Sequence, residues 1–231
     1  LEEADRMVKA CTDANVPLTC GVVTTSHPSF ATAKELLKSG AIGEVLSMEG
    51  VVLAQHQNWS YFVDSEPAWV IGIGDKPRRE EPSSEAGSDE FMGKGIMATG
   101  DGLIVHFPCD EWALPPGAPR LRITGTEGEL AHYKSAGWKL RQVIDVPGGR
   151  RDMVEMPWPG PQIVSYGAHY GLADVIDCIE GRLDEPKSSV RRVAMALEVE
   201  IGLKQSSARG GERIDLPLED RSLGLNYRAF R

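Results

Sequence analysis

No stretch of this 231-residue chain holds the ~20 consecutive apolar residues of a membrane helix, so a membrane-embedded class is not expected. Basic residues are outnumbered, 25 Lys and Arg against 34 Asp and Glu. The resulting net charge of −9 argues against a nucleic-acid surface, which needs clustered Lys and Arg. Cysteine is scarce: Cys11, Cys20, Cys109 and Cys178 are scattered, with no CxxC or Cys/His cluster at zinc spacing. Neither a disulfide framework nor a metal is expected, and free thiols point to a reducing, cytoplasmic compartment. A complete dinucleotide fingerprint is also missing. Ile71-Gly72-Ile73-Gly74-Asp75 supplies two glycines but lacks the third and the helix that should follow.

What is present is an ordinary soluble composition, 41% hydrophobic and 26% charged, in a chain long enough for one large domain or two small ones. Ala4, Met7, Val8, Cys11 and Ala14 recur at helical spacing within Leu1 to Asn15. Glu2, Glu3 and Asp5 suit the positive end of that helix, yet no capping residue precedes it. Pro17 to Val23 has the pattern of a short buried strand. Phe30, Ala33, Leu36 and Leu37 line a second helix over Pro28 to Ser39, closed by Gly40. A helix–strand–helix unit cannot form a parallel sheet by itself, so residues 1–44 are expected to be the tail of a larger α/β domain and the chain a truncated form of it.

From Val45 the period changes to two, with Leu46, Met48, Gly50 and Val52 alternating against Ser47 and Glu49. The aromatic segment Gln55 to Trp69 is expected to leave the sheet. Asp75 to Glu90 has almost no apolar residue and is expected to be an exposed loop. Strand signals follow at Gly95–Thr99 and Leu103–Phe107 around Gly100-Asp101-Gly102, and at Leu121–Thr124 and Glu129–Tyr133 around Gly125-Thr126-Glu127-Gly128. Trp138–Ile144 and Asp152–Met156 complete a meander. Leu172, Val175, Ile176 and Ile179 line one helix face, and Val190, Val193, Ala194, Leu197 and Ile201 another. The expected class is α+β: the tail of an α/β domain over 1–44, which the resemblance given next makes a remnant of a Rossmann domain, then a mostly antiparallel open sheet over 45–231 with helices packed on one face. The free face is a candidate surface for homo-oligomer formation.

Three motifs carry a family resemblance. The first is His27-Pro28, Lys34, Leu36, Leu37, Gly40, Ile42 and Gly43; the second is Leu121 to Leu130 (LRITGTEGEL); the third is Asp174 to Gly181, Val190 to Ala208 and Ile214-Asp215-Leu216-Pro217. In this order and spacing the chain, outside about Trp59 to Gly93, resembles the glucose–fructose oxidoreductase / inositol dehydrogenase family (Gfo/Idh/MocA). The resemblance implies an NAD(P)-dependent oxidoreductase that moves a hydride between the nicotinamide and a sugar, polyol or related hydroxy compound. It also implies a glycine-rich turn, a Glu-Lys-Pro motif and an Asp-x-x-x-His helix, none of which occurs at the corresponding places here. The cofactor, NAD or NADP, is therefore expected in the full-length protein and not on this chain alone, and no catalytic residue is assigned. The alternative is a non-catalytic family remnant serving as a dimerisation or sugar-binding module.

The candidate site residues are few. Thr24 and Thr25 stand at the C-terminal end of the expected strand, where α/β sheets bind ligands, and are the cofactor-side candidates. His27, His56, Trp59 and His169 are the substrate-cleft candidates, each also open to a capping or packing role. His106 and His132 suit sheet faces. Asp174 and Asp177 have paired-carboxylate spacing, but a solvated helix face is the default for them.

Overall fold

The computed structural model describes residues 1–21, 24–51, 58–74, 94–108, 114–134, 136–162 and 167–224. The acidic loop expected over Asp75 to Glu90, His56 and Cys109 lie outside the described residues. Alternation in the sequence becomes a nine-stranded sheet of order β8-β7-β6-β5-β1-β4-β3-β2-β9. Its strands are β1 (Val45–Gly50), β2 (Pro67–Ile73), β3 (Lys94–Thr99), β4 (Ile104–Phe107), β5 (Pro119–Gly125), β6 (Gly128–Tyr133), β7 (Gly137–Val146), β8 (Arg150–Met156) and β9 (Ile214–Asp215). Every pairing is antiparallel except β1 with β4. Four helices accompany it: α1 (Glu2–Ala14), α2 (Pro28–Lys38), α3 (Ala168–Ile179) and α4 (Val190–Ala208).

One sheet face is the core. Met48, Val70, Met97, Val105, Phe107, Leu121, Ile123, Leu130 and Trp138 are buried there, together with Ala196, Val199 and Leu203 of α4 and Phe30 and Ala33 of α2. Ser189 caps α4 by accepting the Arg192 N–H, and the Arg192 guanidinium donates to the carbonyl of Val63 and sits beside Glu185. The opposite face carries Trp69, Ile71, Ile96, Ile104 and His106 on one half. On the other half a ladder of ion pairs joins Arg122 to Glu49 (3.4 Å), Arg141 to Glu129 (3.1 Å) and Lys139 to Glu155 (3.0 Å).

β2 is a strand for which the sequence pattern gives no signal, and its first residues, Pro67 to Trp69, correct the expectation that the aromatic segment up to Trp69 leaves the sheet. Its Ile71-Gly72-Ile73 run, which imitates half of a dinucleotide fingerprint, pairs with β3 along its length, while Trp69 and Val70 before it also pair with β9. The glycine has a packing reason: a β-carbon on Gly72 would overlap the carbonyl oxygen of Leu203, so α4 lies directly on the strand backbone. The Gly72 N–H, beyond the two-residue β9, donates to Ser206 Oγ at 2.8 Å, which gives that edge a partner from the helix.

The two best family-like motifs interlock. Glu127 N–H donates to the Ile42 carbonyl (2.8 Å), Thr126 N–H to the Glu44 carbonyl (2.9 Å), and Glu44 N–H to Thr126 Oγ1 (3.1 Å). Gly43, at φ 72°, leaves room for Thr126 that any side chain would fill. The end of α2 is thereby clamped to the β5–β6 turn.

The expected strand over Pro17 to Val23 is reduced to one antiparallel bridge, Thr19 with Ser189, among the described residues. Cys20 N–H donates to the Ser188 carbonyl and Val190 N–H to the Leu18 carbonyl. A ladder needs a neighbour over several residues, and the turn before α4 offers only these. A second difference concerns α3. Its apolar stripe is exposed, Leu172 at 62%, Ile176 at 51% and Ile179 at 70%, while its buried residues are Gly171 and Asp174. In α1 the expected apolar face likewise buries no residue fully.

Candidate functional site

Thr24 to Ser29 make the turn that enters α2, and the turn faces the start of α3. His27 caps α2: its Nδ1 accepts the Ser29 N–H at 3.1 Å and lies 2.9 Å from Ser29 Oγ, while Pro28 supplies the first helical position. With Nδ1 accepting, the neutral ring carries its proton on Nε2. The His27 ring meets Tyr170 edge-on at 4.8 Å, and Tyr170 meets His169 at 4.1 Å. Burial, followed by the neighbouring positive groups His169 and Lys187, holds the His27 imidazole below its usual pKa. His27 and His169, 142 residues apart in the chain, are therefore brought together (169 − 27).

The threonines divide. Thr25 is buried and its hydroxyl donates to Asn58 Oδ1 at 2.8 Å, which commits it to the interior; Thr24 is half-buried. Asn58 opens the 3-10 turn Asn58–Tyr61 that holds Trp59. Trp59, named from sequence as a cleft residue, is placed in the core at 1% exposure, edge-on to Phe107 and against Gly50. Its aromatic bulk is used for packing, because the glycine in β1 gives it a seat.

Asp174 and Asp177 also part company. Asp174 is buried and held by Lys187, whose Nζ forms an ion pair with Oδ1 and whose N–H donates to Oδ2 at 3.3 Å. Asp177 stays on the surface side with Arg182 at 2.8 Å. Helical spacing alone could not separate them, since the burying partner arrives from the turn before α4. His106 lies on the open sheet face, opposite Ile96 of β3 and Glu49 of β1. His132 lies on the inner face, fully buried between Phe30 (5.0 Å) and Trp138 (5.2 Å), with neither ring nitrogen hydrogen-bonded. Burial, then the charges of Arg120 and His27, push its pKa down to about 3.

A groove of about 350 Å³ runs between α1 and α4, floored by Val8, Ala194 and Met195. Its charges are already matched, Arg221 with Asp5 and Glu198, and Arg191 with Glu66 at 3.0 Å, and none of the candidate residues lines it. Among the described residues no group of three His, Cys, Asp or Glu could hold a metal ion, and no helix is long and apolar enough to cross a membrane. No strand–glycine turn–helix unit stands among the described residues either, so they do not fit the pyrophosphate of a dinucleotide, and no hydride step is assigned to a residue here.

No family model matches the chain, and no curated protein matches its sequence. Solved structures do match in fold. An NAD binding oxidoreductase from Klebsiella pneumoniae superposes with a TM-score of 0.68 at 14% identity, over 95% of this chain and 71% of that one. Aldose-aldose oxidoreductase from Caulobacter crescentus, complexed with glycerol, gives 0.63 at 18%, over 93% and 68%. The WlbA dehydrogenase from Bordetella pertussis, in complex with NADH and UDP-GlcNAcA, gives 0.60 at 18%, over 94% and 69%. At these identities the likeness is one of architecture: this chain shares with these oxidoreductases the mostly antiparallel open sheet and the helices laid on it.

Proposed function

We propose that this chain is the substrate-side and assembly part of an NAD(P)-dependent oxidoreductase acting on a sugar, polyol or related hydroxy compound. Residues 1–44 then belong to the tail of the dinucleotide-binding domain, and 45–231 form the sheet domain. When bound in the full-length protein, the nicotinamide accepts or donates the hydride. Thr24 stands on the cofactor side of the cleft with Thr25 behind it. His27 and His169 stand on the substrate side; His56, the other histidine named for that role, lies outside the described residues. The open sheet face, apolar over Trp69, Ile71, Ile96 and Ile104, is the homo-oligomer surface.

The observation that carries this reading is the unfinished side of the molecule. The segment Leu18–Cys20 is bonded on one side only among the described residues, and α3 beside it presents Leu172, Ile176 and Ile179 to solvent. A half-paired extended segment next to an apolar helix face suits the addition of a further α/β layer. The solved structures named above are each longer than the matched region by roughly three-tenths of their length, and their names specify NAD binding, NADH or an oxidoreductase.

One observation favours the second reading, a non-catalytic dimerisation or sugar-binding module. Between β1 and β3 the sequence has no Asp-x-x-x-His, and the described part of that interval is the 3-10 turn and β2. The DNA immediately upstream of the Leu1 codon separates the two. A strand–GxGxxG–helix unit followed by Glu-Lys-Pro in frame supports the oxidoreductase; an in-frame stop directly before a start codon there sinks it.

A further inference from the structure

The sheet treats its two edges differently. At one edge β9 is two residues long, and the Gly72 N–H beyond it is taken by Ser206 Oγ. At the other edge β8 runs for seven residues, Arg150–Met156, in unbroken register with β7. Among the described residues no strand pairs with its outer side, and it has no proline, glycine or bulge to blunt it. Beyond the end of β8 the edge is closed again: the Gln162 side-chain amide accepts the Trp138 N–H (3.0 Å) and donates to the Trp138 carbonyl (2.8 Å). The open stretch of β8 is thus a template for one more strand.

The direction of each backbone group follows from the register. Val143 of β7 donates its N–H to the Glu127 carbonyl, on the β6 side. Its opposite residue, Met153, is therefore in a non-hydrogen-bonded pair and turns its own N–H and C=O to the free edge. By alternation Arg151 and Glu155 do the same. The side chains of these three share the open face of the sheet and are exposed, Met153 at 38%. Across the strands the open-face residues read Glu129, Arg141, Glu155, alternating in charge. Nearer the β7–β8 turn, Asp145 stands opposite Arg151 at 3.7 Å.

We infer that β8 pairs antiparallel with β8 of a second copy of this chain, about a two-fold axis at Met153. In that register Met153 faces its own copy, and Arg151 faces Glu155 of the second copy on either side of the axis. The outward N–H and C=O groups of all three residues then meet in hydrogen-bonded pairs. The alternating row also continues across the seam: Glu129, Arg141, Glu155, then Arg151 and Asp145 of the second copy. A shift of one residue loses this match. Centring on Asp152 sets that carboxylate against itself, and centring on Val154 sets Arg151 against Pro157. Within one copy Arg151 already pairs with Glu127, and Glu155 with Lys139, both at the surface, so the seam lengthens an existing ladder and buries no lone charge. The contact is an isologous one, and it is independent of the oxidoreductase reading and of the open-face contact.

The test is sedimentation equilibrium of the whole chain and three variants. The wild-type chain should self-associate as its concentration rises. Met153→Pro should weaken this at least about tenfold, since it removes a seam N–H that no bond within the chain uses, at an edge position that tolerates proline. Arg151→Glu and Glu155→Arg should each weaken it similarly, because each sets like charges opposite one another on both sides of the axis. An equimolar mixture of these two charge variants should associate as the wild type does, because every like pair becomes an opposite pair. A fold that was merely destabilised would not be rescued by mixing. A wild-type chain that stays monomeric at submillimolar concentration, or a mixture that associates no better than its components, overturns the edge contact. Association that survives all three variants assigns self-contact to the open sheet face and overturns it as well, and both outcomes leave the oxidoreductase reading in place.

Discussion

Helices α3 and α4 each carry an apolar stripe and meet opposite fates. α4 buries Val190, Met195, Ala196, Val199, Ile201 and Leu203 and lets its backbone touch Gly72. α3 buries only Gly171 and Asp174 and turns Leu172, Ile176 and Ile179 outward. An apolar stripe shows that a helix face is meant to be covered, and it is silent on what covers it. For α4 the cover is in the same domain. For α3 the described residues supply the Asp174–Lys187 ion pair and the His27–Tyr170 ring contact, and leave the stripe exposed.

This contrast can be broken by substitution. Lys187→Met should have the largest effect, because it leaves the Asp174 carboxylate buried without its cation, at a cost of about 4 kcal/mol. Urea denaturation checks it, and a loss under about 1 kcal/mol would show that α3 is not anchored by this pair. Leu203→Ala, in the covered helix, should cost about 3 kcal/mol through the cavity it opens under β2 and β3. The covered side also has a pH signature. His132 has its pKa lowered from 6.5 to about 3, so between these values the unfolded chain binds a proton that the folded chain does not. Stability should then fall as pH falls through this window, by about 1.4 kcal/mol per pH unit at most, and His132→Phe should flatten that dependence. Smallest of all, Ile176→Gln in the exposed stripe should change stability by no more than about 0.5 kcal/mol. A cost like that of Leu203→Ala would mean that the stripe is covered within this chain.

The same contrast separates what was legible in the sequence from what was not. Period-two runs with glycine turns located β3 to β8, because each hairpin is a local statement of alternation and turn chemistry. The helix end at Ala41-Ile42-Gly43 and the Gly125 to Gly128 turn were legible as motifs, and their interlocking hydrogen bonds give the physical reason for their glycines. β2 was hidden, since Gly72 signals close approach and cannot say whether a phosphate or a helix is what approaches. The pairing of His27 with His169 was not readable, although each residue was named, because it depends on how the α2 turn meets α3. The burial of Asp174 was missed for the same reason, and Trp59 reads from sequence as either a cleft or a packing residue: their partners, Lys187 and the Gly50–Phe107 seat, come from distant sequence.

The most direct measurement is a titration of the whole chain with NADH, read by fluorescence of its five tryptophans and of the nicotinamide. Under the proposal that the cofactor turn belongs to another part of the full-length protein, the expected result is no saturable change into the millimolar range. Saturation with a micromolar Kd would place a dinucleotide site within this chain and contradict the division between a cofactor half and a substrate half.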